Sequence, residues 1–123
     1  MQLTKAEEQI MHILWILERG TVQDILKEFG DNKPARTTVS TILNILESKE
    51  FVLHETTGRV NIYYPLISKE KYSKNQLSGL IKNYFNGSFS SMISFFAKEN
   101  NLSVEEMDKI IQETKEFYNE EIE

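Results

Sequence analysis

The stretch from Asn32 to Lys49 reads Asn-Lys-Pro-Ala-Arg-Thr-Thr-Val-Ser-Thr-Ile-Leu-Asn-Ile-Leu-Glu-Ser-Lys. Its apolar residues recur at the i, i+3, i+4 and i+7 spacing that places side chains on one helical face. These residues are Val39, Ile42, Leu43 and Leu46. The opposite face carries short hydroxyl and amide side chains, which are able to enter a groove and hydrogen-bond base edges. We therefore predict a helix from about Ala35 to Lys49 with one apolar and one DNA-reading face.

Cations accompany the polar face of this predicted helix. Arg36 flanks the face and Lys33 lies just upstream, so groups that bind phosphates stand beside groups that contact bases. The alternative is an ordinary amphipathic helix with exposed threonines. The neighbouring segments of the sequence must decide between these two interpretations. The candidate DNA-binding residues in this stretch are Lys33, Arg36, Thr37, Thr38, Ser40, Thr41 and Asn44.

The composition bounds the function mainly by exclusion. The chain has 123 residues and a net charge of −5, which argues against an indiscriminate, basic nucleic-acid binder but permits a local cationic surface. It has no cysteine and two scattered histidines, so we expect neither a disulfide nor a metal site. No catalytic motif or phosphate-binding glycine loop is present, and we expect no enzyme, cofactor or small-molecule ligand. Acidic residues near the N-terminus and the lack of a long apolar run predict a cytoplasmic protein.

Two helices are predicted before the central stretch. Thr4-Lys-Ala-Glu7 forms a capping box that opens a helix ending before Gly20, and Thr21 and Gly30 bound a second, shorter helix. Two helices, a short turn and a polar-faced third helix make the helix-turn-helix pattern. The predicted core positions are Ala6, Ile10, Ile13, Leu14 and Leu17 in the first helix and Val22, Ile25, Leu26 and Phe29 in the second.

A β-hairpin is predicted directly after the third helix. Residues 51–56 and 60–66 are rich in β-formers, and Gly58 supplies the turn between them. Pro65 has no N–H to donate, so it belongs at the end of the second strand. A hairpin in this place is the wing of a winged helix. Arg59 at its tip is then the eighth candidate DNA contact, and a solvated turn residue is the alternative.

The residues after Ser68 predict three further helices, capped by serines and rich in aromatic side chains. We place a winged-helix domain at residues 1–67 and a helical region at residues 68–123. The helical region holds eight of the thirteen aromatic residues, including Phe117, which is more than three helices bury alone. A second copy of the chain is the predicted partner, and folding back onto the first domain is the alternative. The predicted dimerisation residues are Leu77, Leu80, Ile81, Tyr84, Phe85, Phe89, Met92, Ile93, Phe95, Phe96, Met107, Ile110 and Ile111.

Over nearly its whole length, the chain resembles the penicillinase-repressor (BlaI/MecI/CopY) family of bacterial winged-helix repressors. The blocks that carry the resemblance are Leu3-Thr-Lys-Ala-Glu-Glu8 with Trp15, Gly20-Thr-Val22, Lys33 to Thr41, Gly58-Arg59, Tyr63 to Ser68, Tyr84-Phe85 with Gly87-Ser88, and Ser94-Phe-Phe96. The resemblance implies a mainly α fold with a small β-hairpin wing, in which a winged helix-turn-helix domain precedes a helical dimerisation region. It further implies a homodimer that binds a dyad-symmetric operator in double-stranded DNA, with the third helix in the major groove.

The resemblance also implies ways in which repression ends. In family members linked to antibiotic resistance, a membrane-bound sensor metalloprotease triggers cleavage of the repressor within its dimerisation helices. Ser94-Phe95 occupies the comparable place here, with Ser where the family pattern has Asn, and is the candidate cleavage position. In the copper-responsive type a C-terminal cysteine motif senses the metal, and this cysteine-free chain is not expected to belong to that type.

Two further positions depart from the family pattern. Glu50 stands where the pattern has Gly after Lys49, so we expect a positive φ there. Asn44 stands where many relatives are basic, which indicates fewer phosphate contacts or a different base preference. Two functions stay open at this point: a DNA-binding transcriptional repressor, and a winged-helix module for protein association with little specific DNA binding, which the acidic charge would suit.

Overall fold

The computed structural model describes residues 3–122, with side chains for residues 3–114, and the side chain of Phe117 lies outside that range. The elements are α1 (Lys5–Leu17), α2 (Val22–Lys27), a 3-10 turn (Gly30–Asn32), α3 (Arg36–Ser48), β1 (Val52–Thr57), β2 (Val60–Pro65), α4 (Lys69–Tyr84), α5 (Phe89–Glu99) and α6 (Val104–Ile122). The predicted fold class, mainly helical with one β-hairpin, is confirmed. The chain divides inside α4 into two compact units, the N-terminal unit (Met1–Gln76) and the C-terminal unit (Leu77–Glu123).

The first two helices begin with the predicted capping boxes. Thr4 Oγ1 accepts from the Glu7 N–H at 3.2 Å while a Glu7 carboxylate oxygen accepts from the Thr4 N–H at 3.3 Å, and Thr21 and Asp24 repeat the pattern. The predicted core stripe of α1 is wrong at its N-terminal end, because Ala6 is exposed. Its neighbour Glu7 is buried instead, since its carboxylate pairs with Lys49, the C-cap residue of α3.

The core of the N-terminal unit lies where α1, α2, α3 and the hairpin meet. Each fully buried aliphatic side chain there contributes about 1.5–3 kcal/mol relative to an exposed one. Met11 is among them although the sequence stripe omitted it. The side chains with the least exposure are Ile10, Met11, Leu14, Ile25, Val39, Leu43, Leu46 and Val52.

The hairpin is antiparallel and closes with a two-residue loop. Thr57 pairs with Val60, which leaves Gly58 and Arg59 as the loop, and Gly58 takes the positive φ of 65° that its place requires. Pro65 ends β2 as predicted. The backbone of Gly20, at the end of the α1–α2 connection, extends the sheet by exchanging two hydrogen bonds of 2.8 and 2.9 Å with Tyr63.

Tyr72 in the first half of α4 belongs to the core of the N-terminal unit. Its ring lies 5.6 Å from that of Trp15, and its hydroxyl donates to Glu8 at 2.9 Å. Burial, followed by the hydrogen bond and charge of Glu8, raises the pKa of Tyr72 to about 12. The indole N–H of Trp15 donates to the Ile67 carbonyl at 2.8 Å. The sequence analysis counted Tyr72 with the partner-facing aromatics, and that assignment is wrong.

The described side chains of the C-terminal unit form no such core. Its helices α5 and α6 begin at Ser88 and Ser103, whose hydroxyls accept backbone N–H groups at 3.1 Å. Among its described side chains none is buried, and Tyr84 is 74% exposed. None of the described helices has the length and apolar character needed to cross a lipid bilayer.

Candidate DNA interface

The two faces of α3 are chemically separate. Val39, Leu43 and Leu46 are fully buried against the core. On the opposite side no long charged side chain interrupts the row of short polar ones. Thr37, Thr38, Thr41 and Asn44 are exposed, and Ser40 is half-buried. The predicted polar residues therefore lie together on the solvent side of one helix.

The N-terminal end of α3 carries cations and no carboxylate. Arg36 is the first residue of the helix, Lys33 lies three residues upstream, and both side chains are exposed. The N-cap residue Ala35 offers no capping side chain, and the first turn holds no acid, whereas α1 and α2 both carry acids there. The helix dipole and the two cations thus place positive charge at this end of the helix.

Two hydroxyl groups near the polar face of α3 are already oriented by the backbone. Thr41 Oγ1 donates to the Thr37 carbonyl at 2.9 Å, and Ser48 Oγ donates to the Asn44 carbonyl at 3.0 Å. Because a hydroxyl has one proton, each oxygen keeps only its lone pairs for another molecule. Thr41 therefore presents a hydrogen-bond acceptor and a methyl group on the exposed face.

The wing is fixed to the helices at its base. Glu55 on β1 accepts a 2.8 Å hydrogen bond from Arg19, and the Arg19 guanidinium also lies 5.2 Å from the centre of the Tyr64 ring. The adjacent His54 lies with Nδ1 2.6 Å from a carboxylate oxygen of Glu47 on α3. Arg59 at the tip stays exposed. The sequence analysis missed Arg19 and its partner because 36 residues separate them and no local pattern joins them.

The negative charge of the chain is segregated. Residues 1–76 contain ten Lys and Arg side chains and ten Asp and Glu side chains, whereas residues 77–123 contain four and nine. The whole net charge of −5 therefore belongs to the C-terminal unit. In the described part of the chain, no cluster of His, Asp or Glu side chains is arranged to hold a metal ion.

The C-terminal unit forms an open apolar groove of about 860 Å³ between α4, α5 and α6. Phe85 and Phe95 pack in it with ring centres 5.7 Å apart. Ten of the thirteen predicted dimerisation residues line this groove, and Ile81, Phe89 and Ile111 do not. Ala97 and Leu102 also line it, and the sequence analysis missed them because neither belongs to a long apolar stripe. The ten are Leu77, Leu80, Tyr84, Phe85, Met92, Ile93, Phe95, Phe96, Met107 and Ile110.

Comparison with known proteins gives a consistent result. The family model described as penicillinase repressor matches residues 3–116. The chain is 27% identical over 119 residues to a penicillinase repressor of Bacillus licheniformis, covering 96% of this chain and 93% of that protein. It is 22% identical to the methicillin resistance regulatory protein MecI of Staphylococcus aureus (strain N315), covering 89% of both.

A solved structure matches more than half of the chain. The solution structure of the DNA-binding domain of the repressor BlaI superimposes with a TM-score of 0.51 at 28% identity, covering 58% of this chain and 88% of that one. The winged-helix fold and the resemblance read from the sequence are both confirmed. The chain belongs to the penicillinase repressor family, a family of winged-helix DNA-binding repressors.

Proposed function

We propose that this protein is a homodimeric transcriptional repressor that acts in the cytoplasm and binds a dyad-symmetric operator in double-stranded DNA. The observation that carries the proposal is the exposed face of α3, which holds short polar side chains, cations at its N-terminal end and no acid in its first turn. A helix with this surface fits the major groove, where each base pair presents a distinct pattern of donors and acceptors.

The candidate residues divide into two roles. Lys33 and Arg36 bind phosphates at the N-terminal end of α3, and Arg59 reaches a phosphate or the minor groove from the wing. Thr41 accepts a hydrogen bond from an exocyclic amine of adenine or cytosine, since its own proton is used inside the helix. Asn44 is suited to a bidentate contact with adenine. Thr37, Thr38 and Ser40 complete the base-facing set.

Dimerisation occurs through the C-terminal unit. Its described side chains include no buried residue, and its groove is lined by apolar groups from three helices. A second copy of the chain supplies the matching surface through a two-fold symmetric interface. Joining two DNA-reading units makes the second half-site contact intramolecular, which raises the affinity about 10²–10⁴-fold without any new contact to DNA.

Repression ends when the dimer is cut, and a membrane-bound sensor metalloprotease is the partner that triggers the cut. The candidate position, Ser94-Phe95, lies inside α5, and both side chains are exposed. A protease must take the peptide in an extended form, so α5 has to open locally first, as weakly packed segments do. Cleavage there separates Phe95 from its packing partner Phe85 and releases α6.

The other function left open by the sequence, a protein-association module, drew its support from the acidic net charge. That charge lies in the C-terminal unit, and the DNA-reading unit has as many cations as anions. Electrostatics therefore no longer favours that alternative.

Operator binding is tested with a duplex taken from immediately upstream of the protein's own gene and a scrambled duplex of equal length. Arg36→Ala or Arg59→Ala should weaken binding to both duplexes alike, because phosphate contacts carry no sequence information. Thr41→Ala should lose about 1–3 kcal/mol of preference for the upstream duplex. Lys74→Ala, which removes an exposed cation of α4 near Glu70, is the matched control. Equal binding of both duplexes by the unaltered protein would refute the proposal.

A further inference from the structure

The three arginines of the chain differ in the groups that they contact. Arg19 donates to the carboxylate of Glu55, which neutralises its charge. Arg36 Nη1 donates at 3.1 Å to Oε1 of Gln23 on α2, and both of these side chains are exposed. For Arg59 no partner exists among the described residues. Arg36 is thus held in place by a group that leaves its positive charge intact.

The chemistry of this contact fixes the orientation of the Gln23 amide. A guanidinium group only donates hydrogen bonds, so the amide oxygen of Gln23 is the atom that faces Arg36. The amide nitrogen then keeps two N–H donors, and within the described residues no acceptor lies in hydrogen-bond range of it. Two sets of donors, from α2 and from α3, are therefore adjacent and unused.

We propose that Gln23 is a positioning residue for Arg36 and a phosphate contact in its own right. Its oxygen holds the guanidinium while its nitrogen donates to the same phosphate of the DNA backbone. This inference rests on the proposed function, and it adds α2 to the DNA-binding surface. Holding a long side chain in place before binding also reduces the rotamer entropy that is lost when the contact forms.

A neutral amide is suited to both tasks at this position, because it carries an acceptor and two donors without a charge. A carboxylate would accept from Arg36, but it would neutralise the guanidinium and repel the phosphate. A lysine or arginine would attract the phosphate, but it has no acceptor for Arg36. The isosteric substitution Gln23→Glu is therefore the sharpest test, because it preserves the shape of the side chain and changes only its charge and donors.

Gln23→Glu is expected to change stability and DNA binding in opposite directions. Gln23 is the second residue of α2, where an acid is favoured by the helix dipole and would also pair with Arg36, so the Tm should rise. Affinity for the upstream duplex and for the scrambled duplex should both fall roughly tenfold or more, since contacts made by charged groups are lost. The log–log salt slope should become shallower by about two for the dimer, one phosphate contact per protomer.

Two further variants separate positioning from a general effect of charge. Gln9→Glu places the same added charge at an exposed site of α1, and it should leave the affinity within about twofold because exposed charges are screened. Gln23→Ala should weaken binding in the unaltered protein but have a clearly smaller effect in an Arg36→Ala background, because the two residues share one phosphate.

The outcomes are distinguishable. A Gln23→Glu protein with unchanged affinity, or one that loses Tm and affinity together, would overturn the role assigned to Gln23. If the losses of DNA affinity caused by Gln23→Ala and Arg36→Ala were fully additive in the double variant, this role would be overturned as well. If the upstream duplex is bound equally by the unaltered protein and by Arg36→Ala, the proposed DNA contact of Arg36 fails instead, and the error lies in the proposed function.

Discussion

Lys49 Nζ lies 2.6 Å from Oε1 and 2.8 Å from Oε2 of Glu7, so the C-cap of α3 is tied to the first turn of α1. Glu7 is only 3% exposed, and its carboxylate also accepts from the Thr4 N–H. Burial acts to raise the pKa of Glu7, but the hydrogen bonds from Lys49 and Thr4 and the Lys49 charge outweigh it, and the pKa is lowered. This pair helps to hold α3 at a fixed angle on the core.

Stability should therefore decline in acid through Glu7. A carboxyl group whose pKa is lowered in the folded state stabilises the protein fully at pH values above its unfolded-state pKa of about 4.3. This stabilisation is lost as the pH falls through the lowered pKa of the folded state. Glu7→Gln should cost about 2 kcal/mol near neutral pH, since it leaves the Lys49 charge half-buried without its partner. Urea melts from pH 7 to about pH 3 measure both effects.

The control for this prediction is Glu28→Gln, which neutralises an exposed acid of α2. Its melt at pH 7 should lie close to that of the unaltered protein, because a substitution at an exposed surface position usually changes stability by less than about 0.5 kcal/mol. If Glu7→Gln lost as much stability at low pH as at neutral pH, the ion pair would not be the source of the loss.

Glu50→Gly should be neutral or stabilising. Glu50 has a φ of 66°, as expected from the sequence, and it directly follows the C-cap of α3. The Glu50 N–H donates to the Glu47 carbonyl, and the Phe51 N–H donates to the Leu46 carbonyl, which is the Schellman motif. A side chain with a Cβ costs on the order of 1 kcal/mol in this conformation. Denaturant melts should show a gain of up to about that size, reduced by the greater entropy of glycine in the unfolded chain.

Glu28→Gly is the matched control for backbone conformation. Glu28 is the C-cap of α2 with a φ of −77°, where glycine relieves no strain and should cost about 0.5–1 kcal/mol. Equal losses at Glu28 and Glu50 would contradict the prediction.

Salt dependence should report the number of phosphates that the dimer neutralises. With Lys33, Arg36 and Arg59 from each protomer, and one further cation, roughly six to eight contacts give a log–log slope of about −5 to −7. Lys74→Gln should leave the slope unchanged, because this exposed cation of α4 lies beside Glu70 and is not among the candidate contacts. Titrations between low and moderate salt measure the slope, and a value shallower than about −2 would place these cations away from the backbone.

A chain that ends at Ser94 should keep the N-terminal unit folded and lose its dimer. The core of that unit lies between Leu3 and Tyr72, well before the cut. The shortened chain loses Phe95, Phe96 and α6, which line or border the groove. Circular dichroism should show a folded protein, sedimentation a monomer, and gel shifts at least about a hundredfold weaker operator binding. Near-native affinity from the monomer would refute the role of the C-terminal unit as a switch.

The sequence predicted the local features of this fold well. The capping boxes at Thr4 and Thr21 and the turn at Gly58 follow from rules that act within a few residues. The polar and apolar faces of α3 follow from the helical spacing of its apolar residues. Each of these features is decided by neighbours along the chain, so a single sequence contains the information.

Contacts between distant residues could not be read in the same way. Glu7 had the pattern of an exposed capping acid, and only its pairing with Lys49, 42 residues away, explains its burial. The sequence grouped Tyr72 with the aromatic residues that face a partner. Its ring instead packs near Trp15 and its hydroxyl donates to Glu8, within the core of the N-terminal unit. Gln23 and Arg36 are 13 residues apart, and neither residue signals the other in the sequence.

The separation of the two faces of α3 has a consequence for evolution. The residues that hold the helix in the core and the residues available to DNA do not overlap, since Val39 and Leu43 are fully buried while Thr37 and Asn44 are exposed. Substitutions at exposed positions usually change stability by less than about 0.5 kcal/mol. Mutations on this face can therefore change what the helix contacts while the fold stays intact, and the exposed Asn44 is one position where such a change costs little stability.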